Sequence, residues 1–582
     1  MRLAARMQKK QWHILPADTL SGQLACDLKI SLLLAQTLVN RGVKTADEAK
    51  SFLNPKLSEL IEPELMPGIG AAIDRIEKAI KDKQRITIYG DYDVDGITAV
   101  SILLGLFTLL NADVNYYIPH RIDEGYDLNI EAVEQLAQAG TKLLISVDCG
   151  ITAFKSALAA KAKGIDLIIT DHHRPPADGK IPDAIAIVHP NLDKNYPAQT
   201  NAGATVSFKL AWAVINRLKG GSTTPQHLKQ FLINATIFAA MGTIADVIDM
   251  RGENRIISSF GLRAFAESGL PGMKALLDVT KLTTQTIDSF HIGFCLAPML
   301  NAAGRMGHAR LAVELLTCDN EIRAMRIAEY LKQQNKQRQL LEKKIYKHAC
   351  NIINEQGLDH PDRKTIVLSS SDWHSGIIGI VASRLIDKYY RPTILFNIAN
   401  GKAQGSARSI EGFDILEAIT ACGSELTSFG GHTMAAGLVI DVDKIDRFTQ
   451  AFENYAAENW NADEFFSKLE IDAVCRLSDL SVPVVKSLAA LGPFGRGNPS
   501  PVFVARGVRL TASPRKVGQD GDHLQLAVCD SSANARCIGF NMAHLEKKLL
   551  ENEFFNIAFE PQIDNFYGQP SVQLVLSDIQ FE

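Results

Sequence analysis

No C-x-x-C pair occurs among the nine cysteines of this 582-residue chain, which leaves neither a zinc ribbon nor a disulfide framework to argue from. Their scatter fits buried thiols in a reducing compartment. Long apolar runs are missing too. The most apolar stretch, residues 102–110, falls far short of the roughly 18 residues that a membrane-spanning helix needs. The opening MRLAARMQKKQWHILP is basic without an apolar centre, so it does not read as a secretory signal. A cytoplasmic protein with no membrane attachment is the expectation. Excess positive charge is also absent: the formal net charge is −4. Any nucleic-acid site must therefore be a local basic groove, not a bulk property. Internal repeats and low-complexity linkers are not seen.

What is present is an ordinary core-forming composition, 46% hydrophobic, on a chain too long for one core. From about Gln84, short apolar runs at 86–89, 114–118, 143–147, 167–170 and 184–188 alternate with helical periodicity starting near Ile97, Ile130 and Thr152. Strands that are almost continuously apolar belong to a parallel sheet covered on both faces. In such sheets ligands collect beyond the carboxyl ends of the strands. The chain divides into an N-terminal extension (1–60), an α/β core (61–215), a mostly helical part (216–320) and one long linking helix (321–358). A second α/β unit (359–460) and a C-terminal region of short β runs (461–582) complete it. The basic residues of the long helix read as a solvated face. The last region reads as a small barrel of the oligonucleotide-binding (OB) type.

The chemistry concentrates at those strand ends. Asp91, Asp93 and Asp95 follow the first strand in Tyr-Gly-Asp-Tyr-Asp-Val-Asp-Gly. In an extended turn, alternate residues point the same way, so this spacing can bring carboxylates to one point. The string also opens like a calcium loop. That loop needs an acidic twelfth residue and a preceding helix, whereas here the twelfth is Ile102 and a strand precedes. Asp148 follows the run LLISV, and Asp171-His172-His173 follow LIIT. Carboxylates with a neutral imidazole suit Mn²⁺ or Mg²⁺ better than a thiolate-preferring ion. Hydrolysis at phosphorus with two shared ions is the reaction expected.

Together with Gly242-Thr-Ile-Ala-Asp246, these strings resemble the successive motifs of the DHH phosphoesterase superfamily, and the RecJ family of 5′→3′ single-stranded-DNA exonucleases in particular. The resemblance covers nearly the whole chain. It runs through His120-Arg121, Glu124-Gly-Tyr126, Pro298 with Asn301-Ala-Ala-Gly-Arg305, and Asn335 with Arg338. It continues through Trp373-His374-Ser-Gly, Gly405-Ser406-Ala-Arg408, Gly430-Gly-His432 and Phe494-Gly-Arg-Gly-Asn-Pro499. It implies a DHH catalytic domain and a DHHA1 domain joined by the long helix, then the OB-like barrel. Asp93, Asp95, Asp148, His172 and Asp246 are implied as metal ligands, with Asp91 an outer or occasional one. His173 is implied at the scissile phosphate. Arg121, Asn301, Arg305, Trp373, His374, Ser406, Arg408 and His432 are implied around the strand, with Ser406 and Arg408 in a turn that meets a 5′ phosphate.

The pattern is broken at Met299 and Gln525, where Arg and Lys are usual, and at Thr205, where Gly is usual. The two missing cations should weaken phosphate contacts. Stacking on the barrel is expected from among Phe494, Phe503, Phe540, Phe566 and Tyr567, beside Arg496 and Arg515. All metal motifs lie upstream of the barrel, so a chain ending near Asn461 is expected to keep hydrolysing short oligonucleotides. By resemblance the activity serves DNA recombination and repair. The partners would be single-stranded DNA, a single-strand-binding protein and a helicase, and the protein would act as a monomer. A small-molecule phosphodiesterase or pyrophosphatase shares the metal motifs but needs neither barrel nor long helix. A catalytically silent DNA-binding replication factor would be expected to have lost acidic ligands, and none is missing.

Overall fold

The computed structural model describes residues 10–120, 124–125, 127–176, 178–219, 223–283, 286–305, 307–460, 467–565 and 568–581. The chain forms two compact units. One holds residues 12–117, 127–297 and 469–582; the other holds 118–126 and 298–468 with the extreme N-terminus.

In the first unit, five parallel strands lie in the order Val114–Tyr117, Ile86–Gly90, Leu143–Val147, Asp166–Thr170, Ala186–Val188. The runs ITIYG and LLISV are buried at every position, as the absence of polar alternation requires. Register brings Gly90 opposite Val147, Val147 opposite Thr170, and Thr170 opposite Val188. The next residue on each of these four strands is therefore Asp91, Asp148, Asp171 or His189, side by side at one sheet edge. The helix Val94–Leu109 (VDGITAVSILLGLFTL) is apolar almost all round and is correspondingly buried.

Helix Gln226–Ala245 corrects one expectation: by length and composition it could cross a membrane. Of its most apolar window 56% is buried inside the protein, where it packs on helices Gly203–Lys219 and Gly252–Glu267.

The C-terminal strands Phe503–Val517, His523–Cys529, Asn534–Gly539, Ser571–Phe581 and Phe555–Asp564 pair in that order, and the last returns to the first. A closed barrel results. Its core is continuous with Leu33, Leu34, Leu38, Val43 and Ala49 from the N-terminal helices, so the N-terminal extension is not a separate body. A chain ending near Asn461 would leave those residues uncovered. That exposure tells against the stability of such a chain, on which the expected hydrolysis of short oligonucleotides depends.

In the second unit a mixed sheet runs Leu426–His432, Ala435–Asp441, Lys402–Arg408, Thr393–Ala399, Ile366–Ser370, with only the last pair parallel. The long helix spans Glu321–Gln356, capped by Asn320 and by Gly357 at φ 62°. At about 1.5 Å per residue it is roughly 54 Å long. Its basic face is not wholly solvated. Arg338 is buried, donating to Asn335 Oδ1 at 2.7 Å and to Glu342 Oε2 at 2.8 Å, and Glu342 also binds Arg384.

Candidate metal centre

Local backbone preferences deliver each side chain. Asp93 caps the helix Val94–Leu109, its Oδ1 accepting from the N–H groups of Asp95 and Gly96. Asp95 lies in the first turn of that helix, so the aspartates converge through a strand end and a helix start, and not through an extended turn. The Asp95 carboxylate accepts from the N–H of Gly203 at 2.6 Å and of Ala204 at 2.8 Å, at the start of the next long helix. Those amides offset part of its charge. Asp148 sits in the left-handed region, φ 60°, at its strand end. Asp246 caps the C-terminus of Gln226–Ala245.

The groups meet. His172 Nε2 is 3.0 Å from Asp148 Oδ1, 3.5 Å from Asp95 Oδ2 and 3.6 Å from Asp246 Oδ2. Three overlapping sets have ligand atoms within 4.8 Å of one another: Asp148, His172 and His173; Asp95, His172 and Asp246; Asp91, Asp93 and Asp148. Two glycines permit this approach. A Cβ at Gly203 would lie 2.6 Å from Asp148 Oδ1, and one at Gly242 would lie 2.3 Å from Asp95 Oδ1.

So many carboxylates in a buried space cannot all stay ionised without countercharge. Burial, then the charge of Asp93, raises Asp95 to about 7. Burial, then Asp95 and Asp93, raises Asp246 to about 8, with His173 and Arg496 opposing. Burial and the same neighbours push Asp148 well above the usual carboxylate range. Burial and His173 lower His172 to about 3, so its ring is neutral. His172 also bonds the backbone of Asn201, which directs its other nitrogen to the cluster. His173 is different: against the effect of burial, its bond to Asp171 raises it to about 9.

His189 is a residue that motif reasoning passes over, and Asp171, named there only as part of its string, is given no role by it. Asp171 accepts from Ile151 N, His172 N, His173 N and His173 Nδ1, so its oxygens are occupied and it orients the His173 imidazole. His189 Nε2 lies 2.8 Å from the His173 carbonyl. Strand register is the signal for both. Thr205 is buried with its hydroxyl 3.2 Å from that of Thr243, a substitution inside the helix packing.

The second unit gathers another set around the start of helix Ser375–Tyr389. Arg305 Nη1 donates to the Gly376 carbonyl at 2.8 Å, and His374 caps the helix through Nδ1. A Cβ at Gly379 would lie 2.8 Å from Ser406 Oγ and 3.0 Å from Arg408 Nη2. Ser406 and Arg408 are on the central strand Lys402–Arg408, not in a turn. Their strand is paired on both sides, so its amides belong to the sheet and only side chains are offered. Asn301 is half-buried on the helix Ala297–Arg305, and His432 is exposed at the end of the edge strand. Trp373 is 3% exposed, its Nε1 3.1 Å from His348 Nδ1, so its ring supports this surface from beneath. Met299 is likewise buried.

On the barrel, Phe503 is fully buried in the core, which removes it from the stacking candidates. Phe494 packs half-buried on that core. Phe540 is exposed, edge-on to His523. Arg496 is exposed, and Arg515 is exposed opposite Gln525. Arg121, Phe566 and Tyr567 lie outside the described residues.

A parallel sheet with carboxylates and imidazoles gathered at its strand ends defines a phosphoesterase of the DHH class. Residues 85–239 match the DHH family N-terminal domain, 362–458 the DHHA1 domain and 471–578 the RecJ OB domain. The chain belongs to the RecJ family of single-stranded-DNA-specific exonucleases. It is 36% identical over 574 residues to the single-stranded-DNA-specific exonuclease RecJ of Bacillus subtilis, covering 98% of this chain and 71% of that protein. It is 31% identical over 563 residues to its Escherichia coli counterpart, covering 94% and 95%. The crystal structure of RecJ from Thermus thermophilus in complex with Mn²⁺ superimposes with a TM-score of 0.84 at 28% identity, covering 98% of this chain and 80% of that one. The Mg²⁺ complex of the same protein gives 0.77 at 27% identity, covering 98% and 78%.

Proposed function

We propose that this chain hydrolyses single-stranded DNA from its 5′ end, releasing 5′-mononucleotides, with two divalent cations, Mn²⁺ or Mg²⁺, in the centre described above. The observation that carries the reading is the convergence of Asp95, Asp148 and Asp246 on His172, with Asp91 and Asp93 gathered on Asp148, within a family of single-stranded-DNA exonucleases. The donor set fits such ions, being rich in oxygen with one neutral imidazole and no thiolate. Buried Asp148 Oδ1 and His172 Nε2 face each other at 3.0 Å with no hydrogen bond between them. Two buried acceptors so placed call for a cation. Asp93, Asp95, Asp148, His172 and Asp246 are the ligands, and Asp91 supports them. When bound, the ions supply Lewis acidity, easing ionisation of the attacking water and offsetting charge on the phosphoryl oxygens.

The chain's own groups do the rest. Asp171 holds His173 by Nδ1, and, raised to about 9, His173 keeps its proton near neutral pH and serves as a donor to a phosphoryl oxygen. Arg305, His374, Ser406 and Arg408 hold the strand's phosphates, the forked guanidiniums matching phosphate oxygens. By the family pattern Arg121, Asn301 and His432 contact the strand as well. On the barrel, Arg496 and Arg515, with Phe494 and Phe540, bind single strands by phosphate contact and stacking. The work is done in the cytoplasm in DNA recombination and repair, by a monomer whose strands come from a helicase and single-strand-binding protein. Rates on 5′-labelled single strand, duplex and cyclic dinucleotide, with and without Mn²⁺, test the reading. Only the single strand with Mn²⁺ should be degraded; turnover of the cyclic dinucleotide instead would replace it with a small-molecule phosphodiesterase.

A further inference from the structure

Asp246 reaches the metal centre from a helix end, and its neighbour Val247 is held in an unfavourable conformation. Val247 adopts φ 54°, a left-handed backbone that a β-branched residue keeps only when its surroundings impose it. Part of the restraint is local: Asp246 N donates to Gly242 O at 2.9 Å, and Ile248 N to Thr243 O at 3.1 Å. Asn254 Nδ2 then holds the Asp249 carbonyl at 2.9 Å.

The remaining brace is distant in sequence. Met250 N donates to the carbonyl of Arg496, in the barrel's Phe494-Gly-Arg-Gly-Asn-Pro loop, at 2.7 Å. Gly497, at φ 74°, lies so close to the turn that a Cβ there would sit 2.4 Å from Asp249 Oδ1. A Cβ on Gly495 would sit 3.4 Å from the Met250 side chain. The loop is itself stiff. Gly495 and Asn498 exchange backbone hydrogen bonds of 2.9 and 3.1 Å. Buried Asn498 donates to Leu491 O at 2.9 Å and Pro493 O at 2.8 Å, and accepts from Arg41 of the N-terminal helices.

We propose that the barrel loop 493–499 is a positioning element of the metal centre: it locks the turn 246–250 and so sets how tightly the centre holds divalent cation. The barrel then belongs to the catalytic apparatus as well as to the strand-binding surface. The inference rests on the reading of Asp246 as a ligand.

Gly497→Ala in the full-length protein drives the Asp249 carboxylate away from the loop and strains a backbone at φ 74°, without touching a ligand or the barrel core. Gly507→Ala is its control, since Gly507 has φ 59° on the same barrel with nothing within 4 Å of a Cβ. The readouts are the Mn²⁺ binding isotherm, taken from free Mn²⁺ by electron paramagnetic resonance, and kcat and KM on a 5′-phosphorylated single strand. Gly497→Ala should weaken Mn²⁺ binding by about tenfold or more, the scale on which residues supporting metal ligands act. Its kcat at limiting Mn²⁺ should fall while KM for the strand stays within about twofold, a split that loss of a DNA contact would reverse. A second substitution, Asp249→Ala, removes the clashing carboxylate and should restore most of the Mn²⁺ affinity; Gly507→Ala should leave it unchanged. Should Gly497→Ala not fold, Asn498→Ser, which gives up at least one of the side-chain bonds pinning the loop to Leu491 O and Pro493 O, should move the isotherm in the same direction. A wild-type isotherm in whichever folded loop variant is measured overturns the proposal. Asp246→Ala separates the two readings: a wild-type isotherm there means Asp246 is not a ligand, whereas lost binding there with a normal loop variant sinks the positioning role alone.

Discussion

Asp148→Asn probes the centre with the least disturbance elsewhere. Asp148 is 2% exposed, belongs to two of the three ligand sets, and faces His172 Nε2 at 3.0 Å. Its φ of 60° matters to the choice of substitution. Asparagine tolerates the left-handed region, whereas alanine would add a backbone penalty of about 1–2 kcal/mol. The variant therefore keeps the fold and loses one charge. Its amide can also donate to His172 Nε2, occupying the nitrogen meant for the cation. A unit charge about 4 Å from a cation is worth on the order of 4 kcal/mol at an effective dielectric constant near 20. Even if two thirds of that is recovered by rearrangement, a doubly charged ion leaves about 2.7 kcal/mol at stake. The expected loss in kcat/KM is at least about a hundredfold, or roughly 2.7 kcal/mol. Initial rates on 5′-labelled single strand at saturating Mn²⁺ measure it, with strand affinity followed separately. Strand binding should persist. A rate within about threefold of wild type at saturating Mn²⁺ would remove Asp148 from the ligand set.

The remaining expectations use other parts of the molecule. Asp95 and Asp246 are raised to about 7 and about 8, so in metal-free protein each favours folding while protonated and ceases to do so as pH rises through those values. The melting temperature in chelator should therefore fall between about pH 5 and pH 8, and the gain on adding Mn²⁺ should be larger at pH 8 than at pH 6; an equal gain at both would contradict the charge argument. Arg408→Ala should slow cleavage of 5′-phosphorylated strands by about thirtyfold, some 2 kcal/mol for a charge-assisted contact, and Arg408→Lys by less. Matched 5′-hydroxyl strands decide its role, because one common factor on both substrates would mean that Arg408 does not read the end. A chain truncated near Asn461 should aggregate or melt far below the full-length protein, since the barrel covers Leu33, Leu34, Leu38, Val43 and Ala49; a soluble, fully active truncation would refute the shared core.

The strand-end aspartates are legible in the sequence because a parallel sheet leaves few places for them. Five apolar runs mark the strands, and register alone then sets Asp91, Asp148 and Asp171 side by side. Gly405-Ser406-Ala-Arg408 reads as a turn for an equally physical reason. Its residues have poor strand propensity, and neighbours on both sides impose the strand regardless. Arg338 reads as solvated because charge patterning cannot reveal that Asn335 and Glu342 enclose it. Least legible are contacts between distant segments. Nothing local in the N-terminal helices names the barrel as their partner, and nothing near Asp246 announces that Arg496 will hold the turn behind it.

Direction of degradation is the central test. A single strand labelled at its 5′ end in one sample and at its 3′ end in another, digested with Mn²⁺, reports which terminus is attacked. Immediate release of 5′-labelled mononucleotide is expected, with a 3′ label that remains on progressively shorter strands and no release from either end in chelator. Early release of the 3′ label as mononucleotide, or release that persists in chelator, would contradict it.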